Sequence, residues 1–215
     1  MATKLIYFVR HGETEDNAKN IRQGPDGPLS EKGRAQALQT AKRFPKQKGG
    51  PQVIISSPYE RARETAEIIA GELGMKVEYS NLLVERRNPS AIIGHEGGEK
   101  NVKQIVDQMD KSFHDDNFRY ADEENFVDLK ERAKKLLAYI SSRPEERIIM
   151  VTHGIFLKMV VSYMLFREKL TASEYNNLSY LNPISNASMA ICSYTPHLFK
   201  KSEWKLLLWN DLGSN

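Results

Sequence analysis

Three short apolar runs punctuate the chain, and each leads through a small polar turn into a helical pattern. Leu5 to Val9 runs into Arg10, His11 and Gly12. Val53 to Ile55 runs into SSPYERARETAEIIAGELG, and Ile148 to Val151 into THGIFLKMVVSYML. Such short runs, rich in Ile and Val, suit strands buried on both faces. Their alternation with helical periodicity predicts crossover units and a mainly parallel sheet. Helix signals agree. Ser30 reads as an N-cap before Ala35, Leu38 and Ala41. Ser57-Pro58-Tyr59-Glu60 reads as a capping box, with proline at the first helical position and Gly74 as the C-terminal stop. Val127, Leu129, Ala133, Leu136, Leu137 and Ile140 line one face of a further helix, and Thr171 to Glu174 forms a second capping box. The tail reads as two strands, ASMAICSY and EWKLLLW, joined by TPHLFKKS and placed as a hairpin at one sheet edge.

These elements predict an α/β fold: a three-layer sandwich with a mainly parallel sheet, helices on both faces and a C-terminal edge hairpin, in a single domain over residues 1–215. The rhythm breaks from about Leu82 to Asn125, where the chain is polar. That stretch is expected to be a lid-like insertion over the sheet's end, with its acidic part, 114–125, equally readable as a solvated surface excursion.

Composition narrows the picture. The 215 residues are 40% hydrophobic and 27% charged, which suits one sizeable core. A formal net charge of +3 gives no general footprint for nucleic acid or membrane. Cys192 is the single cysteine, so no internal disulfide forms and cysteine-based metal sites are not expected. No stretch reads as a signal peptide or a membrane span, and a cytoplasmic location is the expectation. The apolar tail hairpin offers an edge for pairing two copies, so a homodimer is a further expectation.

In a parallel sheet all strands end on one edge, and ligands bind in the crevice outside it. The first run delivers Arg10 and His11 there, the second delivers Ser56, Ser57 and Arg61, and the third delivers Thr152 and His153. VRHG and VTHG echo each other, which places two imidazoles on neighbouring strands. Two arginines beside them repel a metal cation but suit a phosphate dianion, through bidentate guanidinium bonds and the N–H groups of helix N-termini. No metal and no cofactor is expected.

With these residues in place, the sequence resembles the histidine phosphatase superfamily, the phosphoglycerate mutase-like proteins with an Arg-His-Gly signature. The resemblance runs through FVRHGETEDN, IRQGPDGPLSEKGRAQA, ISSPYERARETAEII, LLVERRNPS, MVTHG and SNASMAICSY. It implies that His11 is the nucleophile that becomes phosphohistidine. Arg10, Arg61 and His153 would grip the phosphoryl oxygens, and Glu85 would be the general acid and base. Asn17 and Gln23 would line the phosphate pocket, with Thr152 at its rim; Arg86, outside the family pattern, would add positive charge near the leaving group or face water. His11 must then be neutral, with its second nitrogen on a backbone carbonyl, whereas His153 is more useful protonated. His114 and His197 read as surface residues, and so does His95, with substrate contact as its alternative because it follows Glu85 closely. The sequence departs from the family's phosphatases in lacking an aromatic-Glu-Gly element after the acid. Its cations Arg86, Arg87, Lys100 and Lys103 do not match the mutase excursion closely. The expected activity is a metal-independent phosphomonoesterase acting on a phosphorylated small molecule. Mutase-type transfer and a non-catalytic phosphate-binding module remain open alternatives.

Overall fold

The computed structural model describes residues 2–47, 49–111, 115–199 and 201–213. In chain order they form β1 (Lys4–Arg10), α1 (Glu15–Ala18), α2 (Glu31–Ala41), β2 (Val53–Ser56), α3 (Glu60–Leu73), β3 (Val77–Tyr79), α4 (Lys100–Lys111), α5 (Phe126–Ser142), β4 (Arg147–Thr152), α6 (Gly154–Phe166), α7 (Ala172–Leu181), β5 (Met189–Thr195) and β6 (Glu203–Asp211). The strands lie in the order β3-β2-β4-β1-β5-β6. The first three pairings are parallel; β5 and β6 are antiparallel additions, so the tail does form the hairpin at one edge.

Side-chain alternation along the strands builds a core on each face. Ile6, Phe8, Val53, Ile55, Ile148 and Met150 pack with Leu129, Leu136 and Ile140 of α5 and Phe156, Leu157 and Val160 of α6. Val9, Ile54, Ile149 and Val151 pack with Ala41 of α2, Phe44, and Ala62, Ala66 and Ile69 of α3. The middle layer is therefore apolar on both sides, which explains why its strands read as continuous Ile/Val runs.

Caps place most helix starts where the sequence puts them. Ser30 Oγ accepts the Gly33 N–H, Thr171 and Glu174 form a reciprocal box, and Gly74 takes a left-handed φ of 66° after α3. Ser57 differs. Helix α3 begins at Glu60 behind Tyr59, without a side-chain cap. Ser57 Oγ accepts the Tyr59 N–H instead, at 3.2 Å, and lies 2.9 Å from His153 Nε2. Glu60 reaches Gly27 N at 2.9 Å rather than folding back on its own helix. The capping-box residues are thus diverted into a buried contact and a loop anchor.

The acidic stretch combines exposed positions with fixed carboxylates. Glu123 is only 2% exposed, and its carboxylate accepts the Tyr120 and Ala121 N–H groups. Glu124 pairs with Arg132 of α5 at 2.7 Å. These carboxylates tie the stretch down locally, while Asp115, Asn117 and residues 119–122 remain exposed. Residues 93–97 pair with 20–22: Arg22 N donates to His95 O, Gly94 N to Arg22 O and Gly97 N to Asn20 O.

Two glycines set how closely α2 approaches β1. A methyl group added at Gly12 would lie 2.5 Å from the Gly33 carbonyl oxygen, and one added at Gly33 would lie 2.0 Å from the Glu13 carbonyl oxygen. Both contacts are with backbone, so no rotamer relieves them. Gly33→Ala is expected to cost about 1–3 kcal/mol, as overpacking does. A thermal melt should show a clear drop in Tm; an unchanged Tm would mean that the two segments can separate freely.

Candidate active site

The parallel pairing of β1 with β4 sets Val9 opposite Val151 and Arg10 opposite Thr152. The His11 N–H then donates to the Thr152 carbonyl at 3.0 Å. The two echoed sequences therefore lie side by side in register, and the rings of His11 and His153 stand 5.1 Å apart between centroids.

His11 is 3% exposed. Its Nδ1 lies 2.7 Å from the Gly12 carbonyl oxygen, an acceptor only, so Nδ1 carries the proton and Nε2 keeps its lone pair. Burial, then the charges of Arg61 and Arg10, hold its pKa well below the ordinary histidine value. The backbone around it is equally fixed. The Gly12 N–H donates to Thr65 Oγ1 of α3, and the His11 carbonyl accepts from Ala187 N at 3.1 Å and Asn186 Nδ2 at 3.2 Å.

His153 is fully buried. Burial and the charges of Arg61, His11, Arg10 and Arg132 push it well below the ordinary value too. Both rings share the same dry, cationic surroundings, which push each toward the neutral form. A neutral ring still donates once. Its Nε2 lies 2.9 Å from Ser57 Oγ, a hydroxyl that also accepts the Tyr59 N–H and can take either role toward the ring. Among the described residues, Nδ1 has no hydrogen-bond partner, and neither does the buried Nε of Arg10.

Beside His11 opens a cleft of about 280 Å³, lined by Arg10, Asn17, Gln23, Arg61 and Glu85, among others. Arg10 Nη1 donates to Ile184 O at 2.6 Å, and Arg61 Nη1 to Gly24 O at 2.8 Å. Gly154 gives the Arg10 guanidinium room at the start of α6; a methyl group there would stand 3.3 Å from Nε. Glu85 accepts three backbone N–H groups, from Arg86 (2.9 Å), Ile155 (3.1 Å) and Phe156 (2.9 Å), which seats it on the N-terminus of α6. Asn17 Oδ1 lies 3.3 Å from Asn186 Nδ2, and Gln23 Nε2 donates to Thr14 Oγ1 at 2.6 Å.

His153, fully buried, is not among the residues that line the cleft, and two further sequence-nominated residues lie elsewhere. Thr152 is fully buried and does not reach the cleft rim; its hydroxyl donates to Leu83 O at 2.7 Å. Arg86 turns away, toward Asn88 Oδ1 at 3.2 Å and a separate small cavity with Glu123 and Tyr175. His95 is exposed and bonds Glu99, His197 is half-buried, and His114 falls outside the described residues.

The structure adds cleft residues that sequence reasoning missed: Asn20, Arg22, Asn88 and Lys158. Lys158 carried a signal, as a lone cation inside the apolar run IFLKMVV. Its ammonium donates to Ser179 O at 2.6 Å, and burial lowers its pKa. Among the described residues, no three His, Cys, Asp or Glu side chains gather as a metal-ion ligand set, and no helix is long and apolar enough to cross a membrane.

The depressed imidazoles fix a sign for pH dependence. In the unfolded chain both histidines take up protons near pH 6.5; in the folded chain they do so only at lower pH. Their contribution to stability is therefore complete above about pH 6.5 and is lost as the pH falls toward the folded values. Imidazole ¹⁵N spectra should report both rings neutral at about pH 6, and the urea midpoint should fall on acidification from about pH 7 to 5. A protonated His11 signal at pH 6 would contradict the site's electrostatics.

Comparison with known proteins places this arrangement in a family. The chain matches the histidine phosphatase superfamily (branch 1) over residues 6–212. It is 32% identical over 217 residues to a protein of Escherichia coli O1:K1 / APEC named "Probable phosphoglycerate mutase GpmB", covering 97% of this chain and 93% of that one. A Salmonella arizonae protein of the same name is 34% identical over 169 residues, 74% of each chain. Among solved structures, a mycobacterial glucosyl-3-phosphoglycerate phosphatase in complex with VO3 superposes with a TM-score of 0.78 at 26% identity, covering 97% of this chain and 99% of that one. A phosphoserine phosphatase mutant from Entamoeba histolytica, bound to phosphoserine, shares the fold with a TM-score of 0.76 at 24% identity, covering 97% and 98%. With the sheet, the paired imidazoles and the paired guanidiniums on one strand edge, the chain belongs to the histidine phosphatase superfamily.

Proposed function

We propose that the protein is a phosphomonoesterase that works through a phosphohistidine on His11, without a metal. The observation that carries this reading is a buried neutral imidazole, locked through Nδ1 on Gly12 O, in a cleft that also holds two guanidiniums and one carboxylate.

The sequence of bonds is as follows. His11 Nε2 attacks phosphorus as the phosphorus–oxygen ester bond breaks. Glu85, protonated for this step, gives its proton to the leaving oxygen, and the alcohol departs. The imidazole gains positive charge as it bonds to phosphorus, so its Nδ1–H bond to Gly12 O becomes charge-assisted and strengthens. The Arg10 and Arg61 guanidiniums neutralise the equatorial oxygens, where positioning and charge stabilisation do most of the work of phosphoryl transfer. The buried Arg10 Nε, without an acceptor among the described residues, suits such an oxygen, since an unpaired buried donor is costly. Glu85, now ionised, takes a proton from water. The resulting hydroxide attacks phosphorus, inorganic phosphate leaves, and His11 returns to its neutral state.

Hydrolysis is favoured over mutase-type transfer by where the four cations of the 86–103 stretch lie, although two other cations, Arg22 and Lys158, do line the outer cleft. Arg86 and Arg87 are tied to Asn88 Oδ1 and Asp122 O, Lys100 and Lys103 are exposed, and none of the four lines the cleft. The outer cleft offers Asn20, Arg22, Asn88 and Lys158. That lining suits a small polar alcohol rather than an apolar leaving group. The mutase reading rests on the names of the curated relatives, and product analysis separates the two.

His11→Ala should abolish release of inorganic phosphate from p-nitrophenyl phosphate in EDTA; retained turnover would overturn the nucleophile. Glu85→Gln should lower kcat/KM on an alkyl phosphate by about 10²–10⁴-fold and far less on an aryl phosphate, whose phenolate leaves without a proton. Equal losses would remove its acid role. With phosphoglycerates, accumulation of inorganic phosphate supports the phosphatase, and isomerisation without phosphate release supports the mutase.

A further inference from the structure

We propose that Arg132 and Glu124, outside the cleft, form a positioning pair that holds the acid Glu85 in register with the nucleophile. The inference rests on the reading of Glu85 as the general acid.

Glu85 stands on a loop, a poor place from which to deliver a proton to one defined oxygen. Its carboxylate is seated by three N–H groups, two of them from Ile155 and Phe156 at the start of α6. That seat is useful only if the Glu85 backbone and α6 stay at a fixed separation. Arg132 spans both sides of the contact. On one side its Nη1 donates to Val84 O at 2.6 Å and to Leu82 O at 3.4 Å, and its Nη2 lies 3.5 Å from Glu85 O. On the other side its guanidinium carbon lies 3.9 Å from the centre of the Phe156 ring. One planar cation thus grips the carbonyls that lead into the acid and stacks on the residue whose N–H receives the acid's carboxylate.

Glu124 holds that guanidinium in place. Its Oε1 accepts Arg132 Nε at 3.0 Å and its Oε2 accepts Nη2 at 2.7 Å, a bidentate fork with both side chains largely buried. The same carboxylate accepts the Arg87 N–H at 3.0 Å, and the Glu124 N–H donates to Arg87 O at 3.0 Å. The pair therefore fixes the acid loop on both flanks, before Glu85 through Leu82 and Val84 and after it through Arg87. Thr152 closes the remaining gap by donating to Leu83 O, so the carbonyls of Leu82, Leu83, Val84 and Glu85 each face a donor from α5 or β4. Neither Arg132 nor Glu124 lines the cleft, so neither is placed to touch substrate.

A misplacement of about 1 Å from a distant substitution can cost about 10²-fold. Here the cost should fall only on the step that needs the acid's proton. Two variants test this: Arg132→Met, which keeps an apolar stem over Phe156 and removes every donor, and Glu124→Gln, which keeps the shape and removes the charge. For each, kcat/KM on an alkyl phosphate should fall by about 10–100-fold, while kcat/KM on p-nitrophenyl phosphate should fall by no more than about a third of a log unit. In a Glu85→Gln background, Arg132→Met should produce no further loss on the alkyl substrate. Equal losses on both substrates, or a full additional loss in the Glu85→Gln background, would show a merely structural role and overturn the proposal. If Arg132→Met fails to fold by circular dichroism, Glu124→Gln decides the question by the same ratio. Glu85→Gln alone separates the two failures. Selectivity there but not in the positioning variants sinks only this inference, whereas no selectivity there removes the acid and the positioning pair together.

Discussion

The site depends on one backbone register. Parallel pairing of β1 with β4 sets Arg10 opposite Thr152 and bonds His11 N–H to Thr152 O, and this places two imidazoles side by side at the end of the sheet. A slip of one residue would turn one of them to the opposite face. The register is pinned by the core itself: Ile6, Phe8, Ile148 and Met150 fill one face while Val9, Ile149 and Val151 fill the other. Packing energy, spent far from the cleft, therefore decides where the chemistry stands.

Around that pair the molecule uses backbone groups more than side chains to set protonation and aim. Gly12 O fixes the proton of His11 on Nδ1, and the start of α6 receives Glu85. Two side-chain hydroxyls complete the set: Thr65 holds Gly12 N, and Ser57 meets His153 Nε2. The glycines at 12, 33 and 154 are sites of close approach, where a methyl group would meet backbone or the Arg10 guanidinium. Burial with several cations drives both imidazoles toward the neutral form, so the protein need not distinguish them by charge. It distinguishes them by partner.

Much of this was legible in the sequence because it is local. The Ile/Val runs, the caps at Ser30 and Thr171, the stop at Gly74 and the repeated His-Gly after two strands each follow from a few adjacent residues, and the structure shows the sheet and edge hairpin they imply. What escaped is what depends on distant partners. The Ser57 capping box was locally sound, but His153, far along the chain, claims the hydroxyl. Thr152 and Arg86 have residue types suited to a phosphate rim, yet Leu83 O and Asn88 take them up. The pairing of Glu124 with Arg132 gave no local signal, because Arg132 lies outside the apolar face of α5 that the hydrophobic pattern picks out. Asn186 lies within the SNASMAICSY segment, but its residue type alone does not show that it holds His11 O.

The central claim is that His11 Nε2, and no other atom, carries the phosphoryl group between substrate and water. Rapid mixing with ³²P-labelled substrate, followed by alkaline quench and peptide mapping, tests it directly. The account predicts an acid-labile, base-stable label on His11 that forms before steady-state release of phosphate and is absent in His11→Ala. Phosphate release with no labelled histidine, or with the label on another residue, would contradict it.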